Sequence, residues 1–433
     1  MSRNVSLRLF SSVSPQRTPH ISRMIRIDVP DFVSYRAGST VSGTVSVDPA
    51  VTAHTHSISV NLRGHSKTQI DETASITPWG ARVTKEFRGS LPLFCQNLSL
   101  YNGPITSPAL STWPFSFTFP SNCDPPPADV SLFGRFLFNS DIHHLLPPSC
   151  SDVQTRSGGG LQYSVFYEVE ACIQTRDSSQ RMITSKSATK RLTYLSSACL
   201  DHPILRPILK SCRIDCQSVL LPAKYKRQSD ARPRTLGERM GLKSIIPDAG
   251  GTAIFWLRVK VPTVAVVNQT LPLVLSIDHD VELSTTPHPP TVLLKRVKAV
   301  LEATPEIRCD RGHQSAHWTR EYTIIDHTFS KPTPVTEDIE LTNFKLRKGL
   351  IPSFSSFVVQ LKHALVIELT VECAQKTFVN TFRTVDEFML MAESQPSGAQ
   401  QNGALAPISP SIEVPNTRPP PLFDMDPPPP YEP

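Results

Sequence analysis

The stretch "YSVFYEVEACI", from Tyr163 to Ile173, decides the fold. In it Val165, Tyr167, Val169, Ala171 and Ile173 alternate with Ser164, Glu168 and Glu170. A period of two with one polar face is the signature of a β-strand that packs on one side and meets water on the other. The same alternation recurs. Ile58, Val60 and Leu62 interleave with Ser57, Ser59, Asn61 and Arg63 before Gly64, which reads as the break in that run. Phe255, Leu257, Val259 and Val261 interleave with Arg258 and Lys260. Leu365, Ile367, Leu369, Val371 and Cys373 interleave with Glu368, Thr370 and Glu372. Helical periodicity is scarce, and Pro or Gly punctuates the strands. The expectation is an all-β chain of the sandwich type.

Composition agrees. The 433 residues suffice for two domains and a tail. There are 41 prolines against 18 glycines, a balance that favours β-structure with Pro-rich connections over a helical bundle. A formal charge of +6 is mild at this length and does not point to nucleic acid. Nine cysteines without a CxxC pair, several inside apolar stretches, read as reduced thiols with neither a disulfide framework nor a zinc site. No apolar run approaches the length a bilayer requires. The sequons at Asn97 and Asn268 are therefore read as silent.

The strands fall into two groups, 25–197 and 245–392. Residues 1–24 read as a disordered extension or an incorrect start. The first 27 residues lack acids and carry Arg3, Arg8, Arg17 and Arg23 among serines, which also fits a mitochondrial presequence. Between the groups, 198–244 reads as a basic connecting segment. Its Lys224, Lys226, Arg227, Arg232 and Arg234 form a candidate patch for an anionic surface, with lipid head groups as the candidate partner. From 393 to 433 the composition turns to Pro, Ser, Gln and Asn with Arg418 as the one base, too poor in apolar residues to offset chain entropy. This tail is expected to be disordered.

Catalytic signatures are missing from the sequence. There is no GxSxG elbow, Walker loop, HExxH or dinucleotide fingerprint. His143 and His144 are neighbours, and neighbours on a strand point to opposite faces, so they do not suit one metal ion. Gly158-Gly159-Gly160 lacks the Lys and helix of a phosphate cradle and reads as a flexible loop. The expectation is a protein that is not an enzyme and needs no cofactor.

The tail ends in "DPPPPYEP", Asp426 to Pro433. Polyproline II has three residues per turn, so Pro428 and Tyr431 share a face, with Pro429 beside them. Pro428, Pro429 and Tyr431 match the PPxY form read by WW domains, whose aromatic groove takes the proline ridge. Asp424, Asp426 and Glu432 would steer the motif to a basic surface. A low-complexity tail and an SH3-type ligand through Pro427 and Pro430 remain open as alternatives.

Several stretches of the body, in order, also carry a family resemblance. "YRAGSTVSGTVSV" (Tyr35–Val47) and "ISVNLRGHSKTQI" (Ile58–Ile70) are similar to the opening strands of arrestin N-terminal domains. "WPFSFTFP" (Trp113–Pro120), "LLPPSC" (Leu145–Cys150) and "GLQYSVFYEVEACI" (Gly160–Ile173) follow in the same order as in that domain. "GLIPSFSSFVVQLKHALVIELTVEC" (Gly349–Cys373) resembles the late strands of the arrestin C-terminal domain. The chain most resembles the fungal arrestin-like proteins, the α-arrestins. That resemblance implies two consecutive arrestin-type, immunoglobulin-like β-sandwiches with a Pro-rich tail. It also implies a cytoplasmic adaptor, peripheral to plasma membrane and endosomes, that joins an integral membrane cargo to a HECT ubiquitin ligase through WW domains. An arrestin-like scaffold in a membrane-sensor pathway, such as ambient-pH signalling, is the alternative.

Overall fold

The computed structural model describes residues 25–393 with interruptions. Outside the described residues lie 1–24, 49–54, 76–81, 104–111, 126–137, 139–144, 157–158, 177–181, 197–208 and 214–216. So do 221–251, 285–289, 310–313, 337, 342–343, 385–387 and 394–433. Every regular element among the described residues is a strand. The all-β expectation holds.

The first nine strands are β1 (Ile25–Asp28), β2 (Ser34–Tyr35), β3 (Thr40–Val47), β4 (Thr55–Ser75), β5 (Arg82–Asn102), β6 (Thr112–Thr118), β7 (Cys150–Arg156), β8 (Gly159–Arg176) and β9 (Met182–Tyr194). They make a three-stranded sheet, β1-β3-β6, and a six-stranded sheet, β2-β9-β8-β4-β5 with β7 also on β8. β8 is the stretch that opened the sequence reading. Val165, Tyr167, Val169, Ala171 and Ile173 all face the core, as do Ile58, Val60 and Leu62 of β4. Trp113, Phe115 and Phe117 of β6 close the core from the smaller sheet, followed by buried Phe119.

Gly64 does not break its strand. β4 runs on for eleven residues beyond it, and the register against β5 shifts between Gly64 and His65, a bulge. A Cβ on Gly64 would stand 2.7 Å from the Tyr167 ring and 3.1 Å from the Phe94 ring. The glycine is there to admit rings, not to end a strand. Tyr167 stacks on Phe94 at 5.9 Å, lies 4.9 Å from Tyr194, and meets Phe119 edge-on at 5.6 Å. Its hydroxyl donates to the Pro147 carbonyl at 2.6 Å, which pins the "LLPPSC" segment to the core. Nor are Gly159 and Gly160 a loop. They open β8 opposite Glu72 and Asp71, because the Asp71 backbone passes where a Cβ on Gly159 would be.

The later strands are β10 (Leu209–Arg213), β11 (Gln217–Leu220), β12 (Thr252–Pro262), β13 (Val264–Val266), β14 (Leu273–His279), β15 (Val292–Cys309), β16 (Gln314–His317) and β17 (Arg320–Pro334). They continue as β18 (Ile339–Leu341), β19 (Phe354–Ser355), β20 (Val359–Cys373), β21 (Lys376–Arg383) and β22 (Met389–Met391). One sheet is β10-β12-β14-β18 with β11 on β12, the other β16-β15-β20-β19 with β17 on β15 and β21 on β20. β22 pairs parallel with β13. The second core lies between these sheets and takes Phe255, Leu257, Val259 and Val261 from β12 and Leu365 to Cys373 from β20. Residues 198–244, read as a connection, supply β10 and β11, and both pair with β12. Cys95, Cys123, Cys150, Cys172, Cys309 and Cys373 are free thiols.

Candidate functional site at the junction of the two cores

Two β-rich cores in one chain pose a physical question: what holds one to the other? Both belong to a compact unit that ends at Glu393. The far ends of β15 and β20 answer it. Ile307, Cys309, Phe357, Val358 and Val359 belong by sequence to the second group of strands but are buried in the first core. Apolar burial of this kind contributes on the order of 25 cal/mol per Å² removed from water.

Polar contacts fix the register of that joint. Along β4 the inward row is apolar at Ile58, Val60 and Leu62 and then turns to Ser66 and Thr68, both buried. Thr68 Oγ1 donates to the Arg308 carbonyl at 2.8 Å and accepts from Cys309 Sγ at 3.1 Å. Phe138 N donates to the Phe357 carbonyl at 3.1 Å, and the Arg308 guanidinium lies 3.9 Å from the Phe138 ring centroid. Such pairings satisfy backbone groups that burial would otherwise strand.

Beside this seam a cavity of about 20 Å³ is lined by Asp152, Gln154 and Tyr163 from the first core and by Arg320, Tyr322 and His363 from the second. Arg320 Nη1 lies 3.1 Å from Asp152 Oδ1, an ion pair from one core to the other. Burial pulls the Arg320 guanidinium down, but the Tyr322 hydroxyl and the Asp152 carboxylate outweigh it and hold the guanidinium above its ordinary value. Burial, with Cys150 and Asp152 nearby, pushes the Tyr163 phenol up, so it stays neutral. His363 is buried and pulled down from 6.5 to about 4 by desolvation. Its Nδ1 is 2.9 Å from Ser353 Oγ, which accepts from Leu390 N at 2.9 Å. A hydroxyl that accepts from an amide and donates to Nδ1 fits a neutral ring protonated on Nε2.

The space suits one or two waters, not a metabolite. One pair, Arg320 with Asp152, crosses the seam, and what it supports is alignment of the two cores. Among the described residues no three His, Cys, Asp or Glu side chains are placed to share a metal ion. No helix of the described residues is long and apolar enough to cross a membrane.

The motif residues Pro428, Pro429 and Tyr431 lie outside the described residues, as do Lys224, Lys226, Arg227, Arg232 and Arg234. The structure does fix the point from which the tail departs. Arg36 Nη2 donates to the Glu393 carbonyl at 3.0 Å, and Asn268 Nδ2 donates to Glu393 Oε1 at 2.9 Å. None of the junction residues was singled out in the sequence reading. A signal existed for two of them: His363 interrupts an otherwise apolar inward row, and Thr68 follows Ser66 where the inward row of β4 turns polar.

No protein-family model matches the chain, and no curated protein matches its sequence.

Proposed function

We propose that the protein is a non-catalytic adaptor that joins an integral membrane cargo to a WW-domain HECT ubiquitin ligase. The observation that carries this reading is Pro428-Pro429 followed at the right spacing by Tyr431, in a segment of different composition from the body. The ordered resemblance of the body to α-arrestins supports it. So does the junction, which in this reading keeps the cargo-facing body rigid while residues 393–433 serve as the tether. The ligase then performs the chemistry, and the adaptor supplies effective concentration. The working location is the cytoplasmic face of the plasma membrane and endosomes.

Calorimetric titration of the full chain with isolated WW domains of a HECT ligase tests the reading. Binding near the micromolar range is expected, abolished by Tyr431→Ala with the thermal unfolding of the body unchanged. Equal binding by Tyr431→Ala would overturn it. Loss of all WW binding in the wild-type chain would do the same and would leave an arrestin-like signalling scaffold as the reading to pursue.

A further inference from the structure

β21 lies at an open edge of its sheet. β20 pairs with it on one side, and among the described residues no strand pairs with it on the other. The edge has a defined phase. Ala374 and Gln375, at φ 50° and 71°, join β20 to β21 in a two-residue turn with both centres left-handed. Such a turn closes on a hydrogen-bonded pair, here Cys373 with Lys376, and bonded pairs then alternate with open ones. Phe378, Asn380 and Phe382 therefore bond to β20, in phase with Thr384 N, which donates to the Leu365 carbonyl at 2.9 Å. Thr377, Val379 and Thr381 fall in the open pairs. Their N–H and C=O groups point away from β20, along the free edge.

Proteins blunt such edges, and two longer edge strands of this chain show how. β17 carries register shifts against β15 and ends with Pro332 and Pro334. On β5 the Leu93 carbonyl accepts from Asp124 N at 2.7 Å, and Cys95 N donates to Asp124 Oδ2 at 3.2 Å. β21 has none of these devices: its eight residues hold unbroken register, without a proline or a bulge. Its outward row is Thr377, Val379 and Thr381, all exposed, Val379 to 63%. β-branched side chains in alternation suit an extended neighbour. In the inward row Asn380 is buried and accepts from Gln217 Nε2 at 2.6 Å, while its own Nδ2 has no acceptor among the described residues.

We propose that this edge takes up an extended segment of a partner protein as an added strand, with β-branched or apolar side chains in alternation and an acidic residue to meet Lys376. Backbone pairing with Thr377, Val379 and Thr381 gives affinity, and the side-chain row gives selection. Charge decides between partners. The charged residues of β21 are Lys376 and Arg383, both cations. Arg383 already pairs with Glu302, whereas Lys376 Nζ lies 5.1 Å from the Phe378 ring centroid with no carboxylate in pairing distance among the described residues. β21 of a second copy would bring two more cations and no acid, while a foreign strand can bring the carboxylate. The edge is separate from the tail and does not depend on the ligase reading.

Fluorescence anisotropy of a labelled peptide, alternating Thr and Val between terminal glutamates, titrated with the full chain tests the proposal. Saturable binding is expected. Val379→Pro removes an edge N–H that β20 does not use, so it should weaken binding by about tenfold. Lys376→Glu should weaken it several-fold through like charge. The same peptide N-methylated at every residue keeps its side chains but loses its donors, and should not bind. Tyr431→Ala should bind the peptide as wild type does, which separates this result from the fate of the ligase reading. Matched thermal unfolding of the variants excludes misfolding. Equal binding by wild type and a folded Val379→Pro, or by the methylated peptide, would overturn the proposal. So would the absence of saturable binding. A dimer of the chain alone that Val379→Pro dissociates would also overturn it, by giving the edge to a second copy.

Discussion

Gly64 and His363 show how one position can carry a structural decision. Gly64 gives up its side chain so that Tyr167 and Phe94 can close on β4. Gly64→Ala should cost about 1–3 kcal/mol, the usual penalty of overpacking a filled core, read as a lower urea midpoint at unchanged slope. His363 reports through pH. Its folded-state value of about 4 lies below its ordinary 6.5, so as pH falls the unfolded chain takes up this proton first. Stability from this residue is therefore whole above pH 6.5 and is lost progressively between 6.5 and about 4. The loss amounts to about 3 kcal/mol at the acid end. His65 and His279, also held low by burial, act in the same direction. The test is the difference between wild type and His363→Gln, since the variant's stability should fall less steeply over that interval.

Strands were legible where one face packs and the other is wet. β8, β4, β12 and β20 each show the alternation in the sequence, and each buries the row that the alternation names. What escaped was pairing over distance. Nothing local says that β10 and β11, from a basic and Pro-punctuated stretch, complete a sheet against β12, because a two-sided partner is supplied from elsewhere in the chain. Nor does local sequence separate a glycine that ends a strand from one that lets a ring approach. Gly64 and Gly159 look like punctuation and act as packing. The junction was the least legible element. Asp152 and Arg320 are 168 positions apart and each reads as an ordinary strand charge, so only the fold brings them to 3.1 Å. Thr68, where the inward row of β4 turns polar, and His363, which interrupts an apolar row, were visible, yet neither position names its partner.

For the molecule as a whole, apolar burial at the junction should outweigh the ion pair. Ile307 is fully buried in the first core although its strand belongs to the second. Ile307→Ala is expected to cost about 2–5 kcal/mol, as for other large-to-small changes in a closed core. Arg320 is 41% exposed, so water screens its pair with Asp152. A double-mutant cycle through Arg320→Ala and Asp152→Ala should return a coupling of only about 0.5–1 kcal/mol. Denaturant unfolding of the five proteins measures both, and a coupling larger than the Ile307 loss would reverse the ranking.

The way β22 is held has a mechanical meaning. Its short parallel pairing with β13 is reinforced by Met389 N to the Thr263 carbonyl at 2.8 Å, Val267 N to the Met391 carbonyl at 2.9 Å and Ser353 N to the Leu390 carbonyl at 2.7 Å. Leu390 and Met391 are buried, and Glu393 is gripped by Arg36 and Asn268. A pull on the chain beyond Glu393 is thus shared at once between Arg36 on one core and β13 on the other. Tension there loads the seam between the cores, where a frayed end would simply have peeled away.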